Sequence, residues 1–306
     1  MISVDLRSYL EERRGVVDSA LQKWFPPLEG AIKDVKFLSS LHLAIRHSLF
    51  AGGKRIRPIL CLTAYEVVGG KGEGILPVAC ALEMIHTYSL IHDDLPSIDN
   101  DDYRRGKPTC HKVFGEAMAI LAGDALLTEA FNIMTERPPG ENWGEGWGII
   151  DVVSRVARAA GINGMVGGQV VDIESEGKEV DLPTLQFIHT HKTGAMLLVS
   201  VQAGARLGGA TAEGFKALTR YGEGIGLAFQ IADDILDIEG KVEILGKTPG
   251  SDRSKKKATY PSVVGLEESR RRAGELVERA VEALSFFGAE ADPLREIGRF
   301  IVTRNS

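Results

Sequence analysis

With 306 residues, 44% of them hydrophobic and 25% charged, the sequence is long and apolar enough to bury a large core without staples, which excludes a disordered chain. The net charge of −6 argues against a general nucleic-acid binder, so an anionic ligand must be held by local basic clusters or by metal ions. The three cysteines, Cys61, Cys80 and Cys110, have neither an even count nor zinc-ligand spacing, which points to a reducing, cytoplasmic setting.

In chain order, residues 1–25 mix both charge signs with apolar residues at helical spacing and read as a first helix rather than a signal peptide. Beyond them, apolar residues recur every three or four positions over long stretches, while period-two alternation is rare, so the expected class is all-α. Turn signals at Phe25-Pro26-Pro27, Gly52-Gly53, Gly69-Gly70, Pro138-Pro139-Gly140, Glu176-Gly177 and Pro249-Gly250 mark helix-to-helix loops. None resembles a linker, so residues 1–306 are expected to form one domain. The runs 75–92 and 224–238 are apolar around much of their circumference and predict central helices. The run from Ser269 is charged on one side and predicts a surface helix. Glycines in Tyr221-Gly-Glu-Gly-Ile-Gly226 lie inside a helical pattern, where close helix approach or room for a ligand is expected rather than a turn. No 18 apolar residues run together, so stable membrane insertion is not expected.

Two acidic clusters interrupt this apolar pattern. The first places Asp93, Asp94, Asp99, Asp101 and Asp102 at the end of a predicted helix, where carboxylates oppose the helix dipole and repel one another. Pro96 must end that helix, leaving Asp99 on a loop. The second holds Asp233, Asp234 and Asp237 inside an apolar helix, with Asp233 and Asp237 one turn apart on one face. Either cluster alone is also compatible with a solvated acidic surface. Together, as hard oxygen donors without a His/Cys cluster, they suit magnesium, which takes a few carboxylates and completes its shell with substrate phosphates. A diphosphate held between the two patches is therefore expected.

Basic residues accompany the acids. Gly52-Gly53-Lys54-Arg55-Ile56-Arg57-Pro58 sits where a helix begins and can offer N–H groups to phosphate, although it lacks P-loop spacing and equally suits solvated arginines at a helix start. Arg104 and Arg105 follow the first cluster and can fork onto phosphates or neutralise nearby acids. Lys192 and Thr193 lie within a predicted apolar helix, where Lys192 either meets an anion or snorkels to water. Lys247 and Lys255 to Lys257 follow the second cluster, and one or two of them are placed to close over a bound diphosphate. His86, seven residues before Asp93, is either a structural histidine or a second phosphate ligand.

These motifs, in order from Gly52–Pro58 through Glu83–Thr109, Leu121–Leu127, Gly167–Gly177, His191–Met196, Phe229–Asp237 and Gly246–Thr248, resemble the trans-type polyprenyl synthetase family over nearly the whole chain. The bacterial farnesyl and the plant and bacterial geranylgeranyl diphosphate synthases are the members most resembled. The resemblance implies a bundle of about 10 to 13 helices around a central cavity. It implies that Asp93, Asp94, Asp99, Asp233, Asp234 and Asp237 hold three magnesium ions, replaceable by manganese, on an allylic diphosphate contacted by Arg104, Lys192, Lys247 and Lys257. Gly53, Lys54, Arg57, His86 and Arg105 are implied to bind isopentenyl diphosphate, and Thr193 and Gln230 to face an allylic cation. Tyr88 and Ser89, five and four residues before Asp93, are implied to set product length, with an aromatic at Tyr88 going with a C15 product rather than C20. Asn100 stands where many bacterial relatives have Asp, and little effect is expected. A homodimer is implied. A terpene cyclase would not need the second anionic site, and a non-catalytic regulatory subunit would be expected to lose the second acidic motif.

Overall fold

The computed structural model describes residues 5–28, 38–136, 147–239 and 257–304, so Lys247, Lys255 and Lys256 lie outside the described residues. The described residues are helical nearly throughout, with 14 α-helices: α1 Leu6–Trp24, α2 Ser39–Leu49, α3 Ile56–Val67, α4 Leu76–Asp93, α5 Cys110–Phe114, α6 Glu116–Thr135, α7 Trp147–Ala160, α8 Met165–Ser175, α9 Leu182–Ile188, α10 Ala195–Leu207, α11 Ala212–Glu239, α12 Tyr260–Val264, α13 Leu266–Ala283 and α14 Asp292–Thr303. The all-α reading holds. A π-helical segment, His189–Gly194, joins α9 to α10, so a single run from 182 to 207 counts as two α-helices. One feature escaped the sequence reading, a short antiparallel hairpin in which β1 Tyr103–Arg104 pairs with β2 Lys107–Pro108. Its two-residue turn is Arg105-Gly106, and both residues take positive φ, 52° and 74°, as the common tight hairpin turns require.

Contacts divide the chain into two compact units: residues 1–9, 60–75 and 142–306 form the first, and residues 10–59 and 76–141 the second. In the second unit, α4 is buried on all sides from Leu76 to Ile85, as expected of a helix with no polar face. Helix α6 is long and apolar enough, with a mean hydropathy of 1.4, to cross a membrane by length and composition alone. Glu116, Asp124 and Glu129 interrupt its apolar run without much lowering the average. Ala119, Ala122, Leu126, Ala130, Ile133 and Met134 of α6 are buried within the protein.

In the first unit, Leu185 of α9, Ile231 of α11, Tyr260 of α12 and Ala273 of α13 form one buried cluster. Helix α9 starts where the Asp181 carboxylate accepts the Thr184 N–H at 2.9 Å, and α12 starts with a capping box between Thr259 and Ser262. Helix α13 buries Ser269, Ala273, Val277 and Ala280 at helical spacing and turns its charges outward, where Glu268 accepts from Arg271 and Arg272. All three cysteines are buried free thiols.

Candidate active site

The acids of the first motif differ sharply in environment. Helix α4 stops at Asp93, and the chain folds back so that the Asp99 N–H donates to the Asp93 carbonyl at 2.8 Å and the Asn100 N–H to the Leu95 carbonyl at 3.0 Å. This helix-ending turn brings Asp99 back beside Asp93 and explains why four residues can separate it from Asp94. Asn100 takes φ 52°, a left-handed conformation that Asn adopts more readily than most residues. Asp93 and Asp99 are half-buried, whereas Asp94 is only 3% exposed. The Asp94 oxygens accept from Arg104 Nε at 2.8 and 2.9 Å, and Oδ1 also accepts from Arg104 Nη2 at 2.5 Å. Arg104, grouped in the sequence with ligands for a diphosphate, thus spends its guanidinium edge on an internal carboxylate, with Asp101 3.7 Å away.

Arg105, at the hairpin tip, donates through Nη1 to the Gly52 carbonyl. Gly53 has φ 125°, which favours glycine, and a Cβ there would lie 2.5 Å from the Arg105 guanidinium and push that side chain aside. Lys54 is exposed and Arg57 half-buried, while Arg55 between them is buried. Burial, reinforced by Arg57, Arg105 and Arg104, holds His86 well below the usual histidine range, so it is neutral at pH 7. The imidazole can then both donate and accept. Tyr88 is buried on α4 with its ring edge-on to His92, centroids 5.4 Å apart, and burial followed by the Asp93 charge raises its hydroxyl pKa. The Ser89 hydroxyl donates to the carbonyl of His86 at 2.8 Å on its own helix.

The second motif, in the other unit, shows the same division of labour. Asp233 and Asp237 are half-buried on α11 and share a face one turn apart. Asp233 accepts from Arg304 Nη2 at 2.5 Å, and the same guanidinium lies 4.0 Å from the centre of the Phe229 ring. Asp234, 6% exposed, accepts the Tyr260 N–H at 2.7 Å and His189 Nε2–H at 2.9 Å. Gln230 is half-buried, one turn before Asp234.

Lys192 and Thr193 lie in the π-helical segment, where the wider turn accommodates an extra residue and re-aims the side chains, a form often found at functional sites. Helix α11 comes close there because Gly226 faces Gly194: a Cβ on Gly226 would meet the Gly194 Cα at 3.1 Å. The glycines of 222–226 therefore serve close packing, as expected. Lys192 Nζ donates to Asp172 Oδ2 at 2.6 Å, and Lys257 Nζ lies 3.6 Å from the same oxygen and 4.0 Å from Glu176 Oε1. Asp172, His189 and Arg304 received no role from the sequence. An acid or histidine at helical spacing carries no local sign of a partner 20, 45 or 71 residues away.

Among the described residues, no three His, Cys, Asp or Glu side chains gather into a ready-made metal cage. The exposed donors of both motifs are carboxylate oxygens. This set suits a hard cation that finishes its shell with water and substrate phosphate, as magnesium does, and it does not suit zinc or copper.

The fold and these motifs define an all-α synthase of isoprenyl diphosphates, and the chain belongs to the polyprenyl synthetase family, whose model matches residues 39–285. The geranylgeranyl diphosphate synthase of Cyanophora paradoxa is 50% identical over 306 residues, covering 99% of this chain and 97% of the relative. The farnesyl diphosphate synthase of Geobacillus stearothermophilus is 47% identical over 310 residues and matches over the full length of both. Among solved structures, the apo FPP/GFPP synthase of Zymomonas mobilis is 38% identical with a TM-score of 0.84, covering 98% of this chain and all of that one. The protein is a short-chain trans-prenyltransferase that uses allylic diphosphates and isopentenyl diphosphate, and its family uses a divalent metal such as magnesium.

Proposed function

We propose that this chain is a farnesyl diphosphate synthase, extending dimethylallyl and geranyl diphosphates with isopentenyl diphosphate and stopping at C15. The observation that carries this reading is Tyr88, a buried aromatic side chain on α4, about 7.5 Å along the helix from Asp93 at 1.5 Å per residue. A growing chain whose diphosphate is anchored at Asp93 meets that ring as a floor. The relatives named geranylgeranyl diphosphate synthase favour a second reading in which the product is C20.

In this reading Asp93, Asp99, Asp233 and Asp237 hold magnesium. Asp94, both of whose oxygens accept from Arg104, and Asp234, whose Oδ2 accepts two buried donors, instead fix the positions of their neighbours. Magnesium held by these carboxylates would neutralise the departing diphosphate and so favour breaking of the allylic C–O bond. Lys192, Lys257 and Arg104 donate to the same diphosphate. Lys54, Arg57, Arg105 and neutral His86 bind isopentenyl diphosphate, leaving its alkene to attack. Thr193 Oγ1 and the Gln230 carbonyl oxygen offer dipoles to the allylic cation. The released diphosphate takes the proton lost from the new chain, which accounts for a site without a conventional general base. The homodimer implied by the family resemblance and the cytoplasmic location read from the cysteines are part of the same proposal.

The test is chromatography of the dephosphorylated products formed from dimethylallyl and isopentenyl diphosphates with magnesium. A C15 main product is expected; a C20 main product overturns the chain-length reading, and free terpene or inorganic diphosphate alone overturns synthase activity. Asp93→Ala and Asp233→Ala should each lower kcat/KM by at least about a hundredfold, about 2.7 kcal/mol of transition-state stabilisation.

A further inference from the structure

Lys54, Arg55 and Arg57 look equivalent in the sequence, three cations beside a double glycine. The structure separates them. Arg55 is 3% exposed, and its guanidinium reaches three partners on three helices. Nε donates to Asp18 Oδ1 of α1 at 2.8 Å, Nη1 to Glu83 Oε1 of α4 at 2.8 Å, and Nη2 to the Leu49 carbonyl at the end of α2 at 2.7 Å. The Arg55 backbone takes φ 53°, uncommon outside glycine, and follows Gly52 and Gly53 with φ 98° and 125°. A left-handed conformation persists at such a residue only where its surroundings over-determine it, and here the three hydrogen bonds do so. The result is a reversal that sends Arg55 inward while Lys54 stays exposed and Arg57 half-buried at the start of α3.

Glu83 stands three residues before His86 on α4, about 4.5 Å along the helix. The Arg55 anchor therefore lies one turn below the group formed by His86, Arg57 and Arg105. Arg105 itself rests on this turn, donating to the Gly52 carbonyl and packing against Gly53. Burial disfavours the charged guanidinium, but Glu83 and then Asp18 more than offset it and raise the Arg55 pKa. A lysine cannot reproduce the arrangement, because its three N–H groups diverge from one nitrogen whereas these three acceptors are spaced to a planar fork.

We propose that Arg55, locked by Glu83, Asp18 and the Leu49 carbonyl, is a positioning residue that holds the 52–57 turn so that Lys54, Arg57 and Arg105 converge on the diphosphate of isopentenyl diphosphate. The inference rests on the function proposed above. It makes Arg55 selective for one substrate, since its partners Asp18, Leu49 and Glu83 tie the turn to the helix carrying His86 and include no residue assigned to the allylic diphosphate.

Two variants test it. Arg55→Lys keeps the charge and removes the fork. The double variant Arg55→Gln with Glu83→Gln keeps a neutral, hydrogen-bonded pair of similar volume, so that neither partner is left as a lone buried charge. Isopentenyl diphosphate is titrated alone into each protein by calorimetry, and KM for both substrates and kcat are measured on samples with an intact melting transition. Expected is a loss of about tenfold or more in affinity for isopentenyl diphosphate, with KM for the allylic substrate within about twofold of the parent. Unchanged isopentenyl diphosphate affinity in a folded variant, or equal shifts in both KM values, overturns the role of Arg55. Failure of the parent protein itself to bind isopentenyl diphosphate instead overturns the proposed function.

Discussion

Replacing Asp234 separates an internal anchor from a simple metal ligand. In the parent, Asp234 accepts from the Tyr260 N–H and from His189 Nε2–H, both buried, and His189 Nδ1 has no hydrogen-bond partner among the described residues. Both bonds end on the same oxygen, Oδ2. In Asp234→Ala both buried donors lose their acceptor, at about 1–3 kcal/mol each, or about 2–6 kcal/mol together. Asp234→Asn can keep its amide oxygen at that position and accept both bonds in neutral form, so it should cost less. At about 2 °C per kcal/mol for a chain of this size, melting of Asp234→Ala should fall by roughly 4–12 °C. The assay is thermal unfolding in chelator without substrate, where a residue serving only as a metal ligand has no effect. An Asp234→Ala protein that melts like the parent under those conditions, yet has lost activity, refutes the anchoring role and returns Asp234 to the ligand set.

Tyr88→Ala should lengthen the main product from C15 to C20 in the same chromatographic assay; an unchanged product places the floor elsewhere. Gly53→Ala should cost about 1–3 kcal/mol because φ is 125°, and by displacing the Arg105 guanidinium, 2.5 Å from its Cβ, it should weaken isopentenyl diphosphate binding in calorimetry. His86 gives a pH signature. Its folded pKa lies below the ordinary 6.5, so the unfolded chain binds a proton that the folded protein refuses. The stability associated with His86 is whole above about pH 6.5 and is lost as pH falls toward the folded pKa. His86→Gln should therefore flatten the fall in melting temperature between pH 7 and pH 5, and an unchanged slope would show that the parent imidazole is already protonated.

Periodicity and helix-breaking residues are local properties, and they made much of this protein legible. The all-α class, the end of α4 before Pro96, the shared face of Asp233 and Asp237, and the close approach at Gly226 all follow from spacing along one helix. The hairpin at 103–108 was missed because two-residue strands leave no periodic trace, even though Arg105-Gly106 supplies a tight turn. The π-helical segment was missed because its apolar pattern differs from an α-helix by a single residue.

The sequence by itself determined which residue types are present for the chemistry: carboxylates in two clusters, cations beside glycines, an aromatic one and a half turns before Asp93. Only the tertiary structure decided how neighbours divide the work. Asp93 and Asp94, or Lys54 and Arg55, are adjacent and chemically alike, yet one of each pair is accessible and the other is locked by partners from distant segments. Burial and pairing set that difference, since a charge removed from water must find its counter-charge inside the protein, and that partner is chosen by helix packing rather than by position in the chain.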